Sequence, residues 1–164
     1  MAFSVSLICH PPCRMARRQE GDWREFDYEH LVMEACEILE DAGCVFQMTG
    51  FGKPVWALDV AYDLSVFMEQ FPALIDGVRE ARQVEVDLYS QGVECALKFN
   101  PRGEQVVIEC LSRTDWVPLL EFETVSRAEL DSMLSGMAKT FAEALEAAGS
   151  SISRVEPFVH WLHA

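Results

Sequence analysis

The side chains best suited to chemistry are six cysteines and four histidines, and Cys9-His10-Pro11-Pro12-Cys13 gathers three of them in one short stretch. A structural zinc site needs four ligands, usually as two close pairs. Cys9, His10 and Cys13 have no matching second pair, and His160 and His163 stand at the far end of the sequence. The stretch reads as a strand-end loop with incidental thiols, and neither metal nor cofactor is expected. Nucleophilic catalysis needs a serine or cysteine beside a histidine base and an orienting group. None of His10, His30, His160 and His163 lies in a glycine-rich nucleophile turn. Gly50-Phe51-Gly52-Lys53 lacks the spacing of a phosphate-cradling loop and reads as a hairpin turn.

Paired carboxylates are the remaining catalytic option. Asp59 and Asp63 flank a strand-to-helix junction, and Glu85 and Asp87 share one strand face. Either pair has the donor type for acid–base work or Mg²⁺ binding. With 27 Asp+Glu in 164 residues, however, carboxylates become neighbours by chance. Asp63 is expected to cap a helix, and Glu85 and Asp87 to sit on a solvated sheet face. No nucleophile–base–orienter set emerges, so the chain is not expected to be an enzyme. A small enzyme using Asp59, Asp63 or Glu109 ranks third among the functional readings.

What these residues can do depends on the elements that carry them. A chain of 164 residues is expected to form one α+β domain over 1–164. It can bury roughly 70% of the surface its unfolded form exposes, without a covalent staple. Phe3, Val5 and Leu7 alternate with Ser4 and Ser6 as a short strand ended by Pro11 and Pro12. Asp27 is placed to cap a helix in which Tyr28, Leu31, Val32, Ala35, Leu39 and Ala42 recur at helical spacing until Gly43. Strands are expected over 44–49 and 55–60, joined by a turn at 50–54. Phe67, Phe71, Leu74, Ile75 and Val78 mark a helical face that Pro72 should kink or divide.

Region 83–112 predicts an antiparallel meander. Val84, Val86 and Leu88 face one way, with Glu85, Asp87 and Tyr89 opposite. After the Gln91-Gly92 turn, Val93, Cys95, Leu97 and Phe99 alternate with Glu94 and Lys98. A third strand covers 106–111 after Asn100-Pro101-Arg102-Gly103, and a fourth is expected over 119–124. Ser126 and Glu129 form a capping box for a helix over 127–148 that Gly149 closes. Its stripe of Leu130, Met133, Leu134, Met137, Phe141, Leu145 and Ala148 can cover the sheet's apolar side, so helices pack mainly on one face. Gly136 within it hints at close approach to a strand. The tail, 155–162, is apolar enough to dock.

Charge narrows the partner. Lys+Arg number 13 against 27 Asp+Glu, a net charge of −14. Such a surface repels phosphate backbones and anionic lipid, so nucleic acid and membrane surfaces are excluded and a basic protein is favoured. No run approaches the ~20 apolar residues of a membrane helix. The apolar run at 2–9 has no positive charge ahead of it and is followed by Arg14, Arg17 and Arg18, unlike a signal peptide. A cytoplasmic protein is expected, with Cys9, Cys13, Cys36, Cys44, Cys95 and Cys110 as free thiols and Cys95 and Cys110 packed as small hydrophobes.

Surface recognition therefore remains. Glu85, Asp87, Tyr89 and Glu94 combine acid with an aromatic ring on an outward strand face. Asp115-Trp116 and Asp22-Trp23 repeat that pairing. Tyr and Trp are enriched at interface hot spots, and dispersed acid steers a basic partner. Trp116 and Trp23 read equally well as core residues.

The meander "QVEVDLYSQGVECALKFNPRGEQVVIECLSRTDWVP" followed by the helix "RAELDSMLSGMAKTFAEAL" resembles a bacterial immunity protein of a polymorphic-toxin system. The resemblance implies a small cytoplasmic protein that binds and occludes a cognate toxin domain, its acidic face covering a basic substrate cleft. It carries no functional residue over to a numbered position. An acidic chaperone for a secreted bacterial effector is the alternative; such chaperones usually open with a helix and dimerise.

Overall fold

Alternating burial begins at the first described residues. Phe3, Val5 and Leu7 are buried between half-buried serines, and β1 spans Ser4–Ile8. The computed structural model describes residues 2–10 and 22–164. β1 pairs antiparallel with β2, Val45–Thr49, from Ser4↔Thr49 to Ile8↔Val45. One step beyond, Cys9 and Cys44 face each other with Cα atoms 4.5 Å apart and form a disulfide. The expectation of free thiols fails for this pair, and register is the reason. Antiparallel residues at a non-hydrogen-bonded position approach to about 4.5 Å, inside the span a disulfide bridges. Cys36, Cys95 and Cys110 are free and buried, whereas Cys13 lies outside the described residues.

Asp27 accepts the His30 N–H at 2.9 Å and opens α1, Tyr28–Asp41. The expected strand over 55–60 does not form. Gly50 and Lys53 make an isolated bridge and Trp56 N–H reaches Met48 C=O at 3.0 Å, after which the pairing stops. Asp59 takes over. Its carboxylate accepts the N–H groups of Tyr62 (2.7 Å) and Asp63 (3.0 Å), starting a π-helical turn, Val60–Leu64. That turn runs into α2, Ser65–Glu69, and α3, Phe71–Arg79, follows after Gln70. Pro72 sits in the first turn of α3, where a missing N–H costs nothing, so it divides the segment as its ring predicts.

The meander forms a second sheet of four strands in the order β3 (Val84–Leu88), β4 (Cys95–Arg102), β5 (Gln105–Ser112) and β6 (Phe122–Ser126). All its pairings are antiparallel. β6 starts later than the pattern at 119–124 suggests, because Leu119 is drawn aside to pack over Gly52. The capping box of Ser126 and Glu129 then starts α4, Arg127–Ala147. Gly136 has no neighbour within 4 Å, so the expected close approach there is absent; it occurs at Gly77 instead, against Val84.

The core lies between the inner sheet faces and the helices. Phe3 joins the two sheets by edge-on contacts with Phe51 and Phe99. The tail docks as α5, Phe158–Leu162, with Phe158 stacked against both Tyr28 and Phe141. This is an α+β fold whose strands form two antiparallel sheets. No helix of the described residues is long and apolar enough to cross a membrane.

Candidate interaction surface

Strand parity decides which meander residues reach solvent. Val86, Leu88, Cys95, Leu97, Phe99, Val106, Ile108 and Cys110 are buried on the inner face. The opposite parity gives an outer row in direct register: Glu85↔Lys98, Lys98↔Glu109, Glu109↔Phe122. A parallel row runs Asp87↔Ala96↔Leu111. Lys98 is thus flanked by two acids, and Phe122 (52% exposed) closes the row. Glu109, Leu111, Trp116, Val117, Pro118 and Glu121 line an adjoining groove of about 270 Å³. Val117 of that groove and Leu119 two residues on, at 73% and 83% exposure, are the most solvent-exposed large apolar residues among the described residues.

The acids expected here divide by environment. Glu85 is exposed on the outer face, and Asp87 is half-buried in an ion pair with Arg113. Tyr89 is half-exposed and donates its hydroxyl to Glu69 at 2.9 Å. Desolvation, and then that bond to a carboxylate, push the phenol from 10.0 up to about 12. Glu94 occupies the left-handed region (φ 43) just before β4 and gives its carbonyl to Arg113 N–H. Glu85 and Asp87 stand on the outer face of β3 as the alternation predicts, with Tyr89 just past its end. Glu94 departs from it, since β4 begins only at Cys95 and residues 93 and 94 belong to the turn.

The two tryptophans separate. Trp116 is half-buried, edge-on to Trp56 at 5.3 Å, with the Lys53 ammonium 4.8 Å from its ring centre. It forms the wall of the groove while Asp115 beside it is exposed. Trp23 is buried to 7%, donates its indole N–H to Ser151 at 3.0 Å and packs on Phe26. Asp22 accepts from Arg24, whose side chain holds the carboxyl below its ordinary range. Asp22 and Trp23 thus serve the entry to α1 and the 151–154 turn, and the structure does not join them to the sheet face.

Asp59 and Asp63, set aside as catalytic candidates, have structural partners. Asp59 and Asp63 cap reciprocally: Asp63 accepts the Asp59 N–H at 2.8 Å and the Ser90 hydroxyl at 2.5 Å. Asp63, expected as a cap, closes the box that Asp59 opens. His30 pairs with Asp27 and His160 with Glu156, neither beside a nucleophile. Cys36 is fully buried and its thiol is pushed well up by desolvation, the opposite of an activated nucleophile. Among the described residues no three of His, Cys, Asp and Glu are grouped to hold a metal ion.

Sequence reasoning missed the apolar part of this surface. Leu111 and Glu109 were within reach of the parity that placed Glu85 and Asp87. Leu119 and Phe122 were hidden by the later start of β6. No protein-family model, curated protein or solved structure matches this chain.

Proposed function

We propose that the protein is a bacterial immunity-type inhibitor that binds a toxin domain and occludes its basic substrate cleft. The observation that carries this reading is the outer sheet face: Glu85, Asp87 and Glu109 share it with exposed Leu111 and Phe122. Acid alone would give solubility. Acid around apolar anchors is the arrangement of an interface, in which anchors supply affinity and the charged rim supplies steering and partner choice. The net charge of −14 extends the attraction beyond the contact area.

The test is protection. A toxin domain encoded beside this chain's gene should arrest growth when expressed alone and lose its activity when this protein is present in excess. Association should slow about tenfold or more on raising salt from about 0.1 M, where screening sets in near 10 Å, to 0.5 M. Full toxin activity with saturating protein would overturn the reading, and a salt-independent association rate would overturn acidic steering.

A further inference from the structure

The four-stranded sheet has two edges, and they are treated differently. On β3 the side chain of Gln70 acts as a substitute strand: it donates to Asp87 C=O and accepts from Asp87 N–H, both at 2.8 Å. On β6, Cys110 N–H donates to Glu121 C=O (2.9 Å) and Arg127 N–H to Glu104 C=O (2.8 Å). Antiparallel bonding alternates, so between these points Glu123 and Val125 face β5, and the N–H and C=O groups of Phe122 and Thr124 point away from it. Among the described residues nothing bonds to those four groups, and Phe122 and Thr124 are exposed. An open edge of this kind is a template for strand addition.

We infer that β6 receives an extended segment of a basic protein partner as a fifth strand, pairing with Phe122 and Thr124. Side-chain parity fixes the pattern of that segment. On the outer face of the edge stands Phe122, with Leu120 exposed two residues before it. On the other face Glu121 is exposed, while Glu123 is half-buried with its carboxylate accepting the Phe51 N–H at 2.8 Å. A strand that alternates apolar with Lys or Arg satisfies both faces at once. A second copy of this chain would bring net −14 against an equally acidic surface that carries exposed Glu121, so the occupant is a different, basic protein. The inference shares with the preceding reading only the basic charge of the partner.

The test uses a synthetic peptide of about seven alternating Lys and Val residues, a usual strand length, read by amide hydrogen exchange and ¹⁵N spectra. Binding should slow exchange at Phe122 and Thr124 by about tenfold or more, with Glu123 and Val125, already bonded to β5, little changed. Thr124→Pro removes one outward N–H without touching the β5–β6 ladder and should abolish binding. A peptide N-methylated at alternate residues should also fail, which checks the result without altering the protein. No protection at Phe122 and Thr124, equal protection by a Glu–Val peptide, or concentration-dependent self-protection would each overturn the inference. Salt-sensitive peptide binding that survives Thr124→Pro would overturn strand addition and leave the basic-partner reading standing.

Discussion

Gly77 and Val84 are packed so closely that a β-carbon on the glycine would overlap Val84 Cγ2. α3 can therefore lie against β3 only because residue 77 has no side chain. Val84 is β-branched and stiff at χ1, so it cannot swing clear. Gly77→Ala is expected to destabilise by roughly 1–3 kcal/mol, measured by urea unfolding. Gly136→Ala, on an exposed face of α4 with nothing within 4 Å, should stabilise by about 0.5–1 kcal/mol. Opposite signs from the same substitution are the discriminating result.

Gln70→Ala would leave the Asp87 N–H and C=O, and the Val66 C=O that Gln70 also serves, without their side-chain partner. The expected cost is roughly 1–3 kcal/mol, since half-buried polar groups lose a bond that water only partly replaces. Gln70→Glu should cost as much despite its similar shape, because a carboxylate cannot donate to the two carbonyls. Exchange at Asp87 should speed up in Gln70→Ala and change less in Gln70→Glu, whose carboxylate still accepts the Asp87 N–H.

Tyr89 gives a titration with a definite sign. Its phenol is raised from 10.0 to about 12 in the fold, so the native state holds the proton more tightly than the unfolded chain. The stability linked to it is complete below about pH 10 and is lost as pH rises through about 12. The ultraviolet difference titration between the native protein and Tyr89→Phe should show the phenolate forming near 12. Glu69→Gln should lower that midpoint, though not back to 10.0, since desolvation leads the causes.

The Cys9–Cys44 bridge spans a sequence separation of 35, for which chain entropy gives about 4 kcal/mol at most. Cys9→Ser should lower stability by roughly 2–4 kcal/mol, and reductant should then have no further effect on that variant. Peptide mapping without reductant should recover residues 9 and 44 in one linked fragment. The fraction bridged in cells alkylated before lysis reports the compartment, because a reducing cytoplasm keeps thiols apart.

Much of this architecture is written in local periodicity. The alternation at Phe3, Val5 and Leu7, the spacing from Tyr28 to Leu39 and the Ser126–Glu129 box each specify an element by themselves, and each forms. The strand pattern at 55–60 was real, but Asp59 can cap a helix as readily as it can sit in a strand, and the two backbone N–H groups that its carboxylate accepts decided the matter. Glu85, Asp87 and Tyr89 were legible as outward residues because parity is local. Trp23 was not: its burial depends on Ser151, 128 residues away. The Cys9–Cys44 pairing and the substitute strand made by Gln70 likewise arise only when distant segments meet.

Closing the chain at Cys9 and Cys44 has one more effect: everything between them, α1 included, belongs to a covalent ring. A single peptide cleavage inside that ring cannot shed either piece. Both halves travel together until a thiol opens the clasp, so limited proteolysis would register as two bands only after reduction.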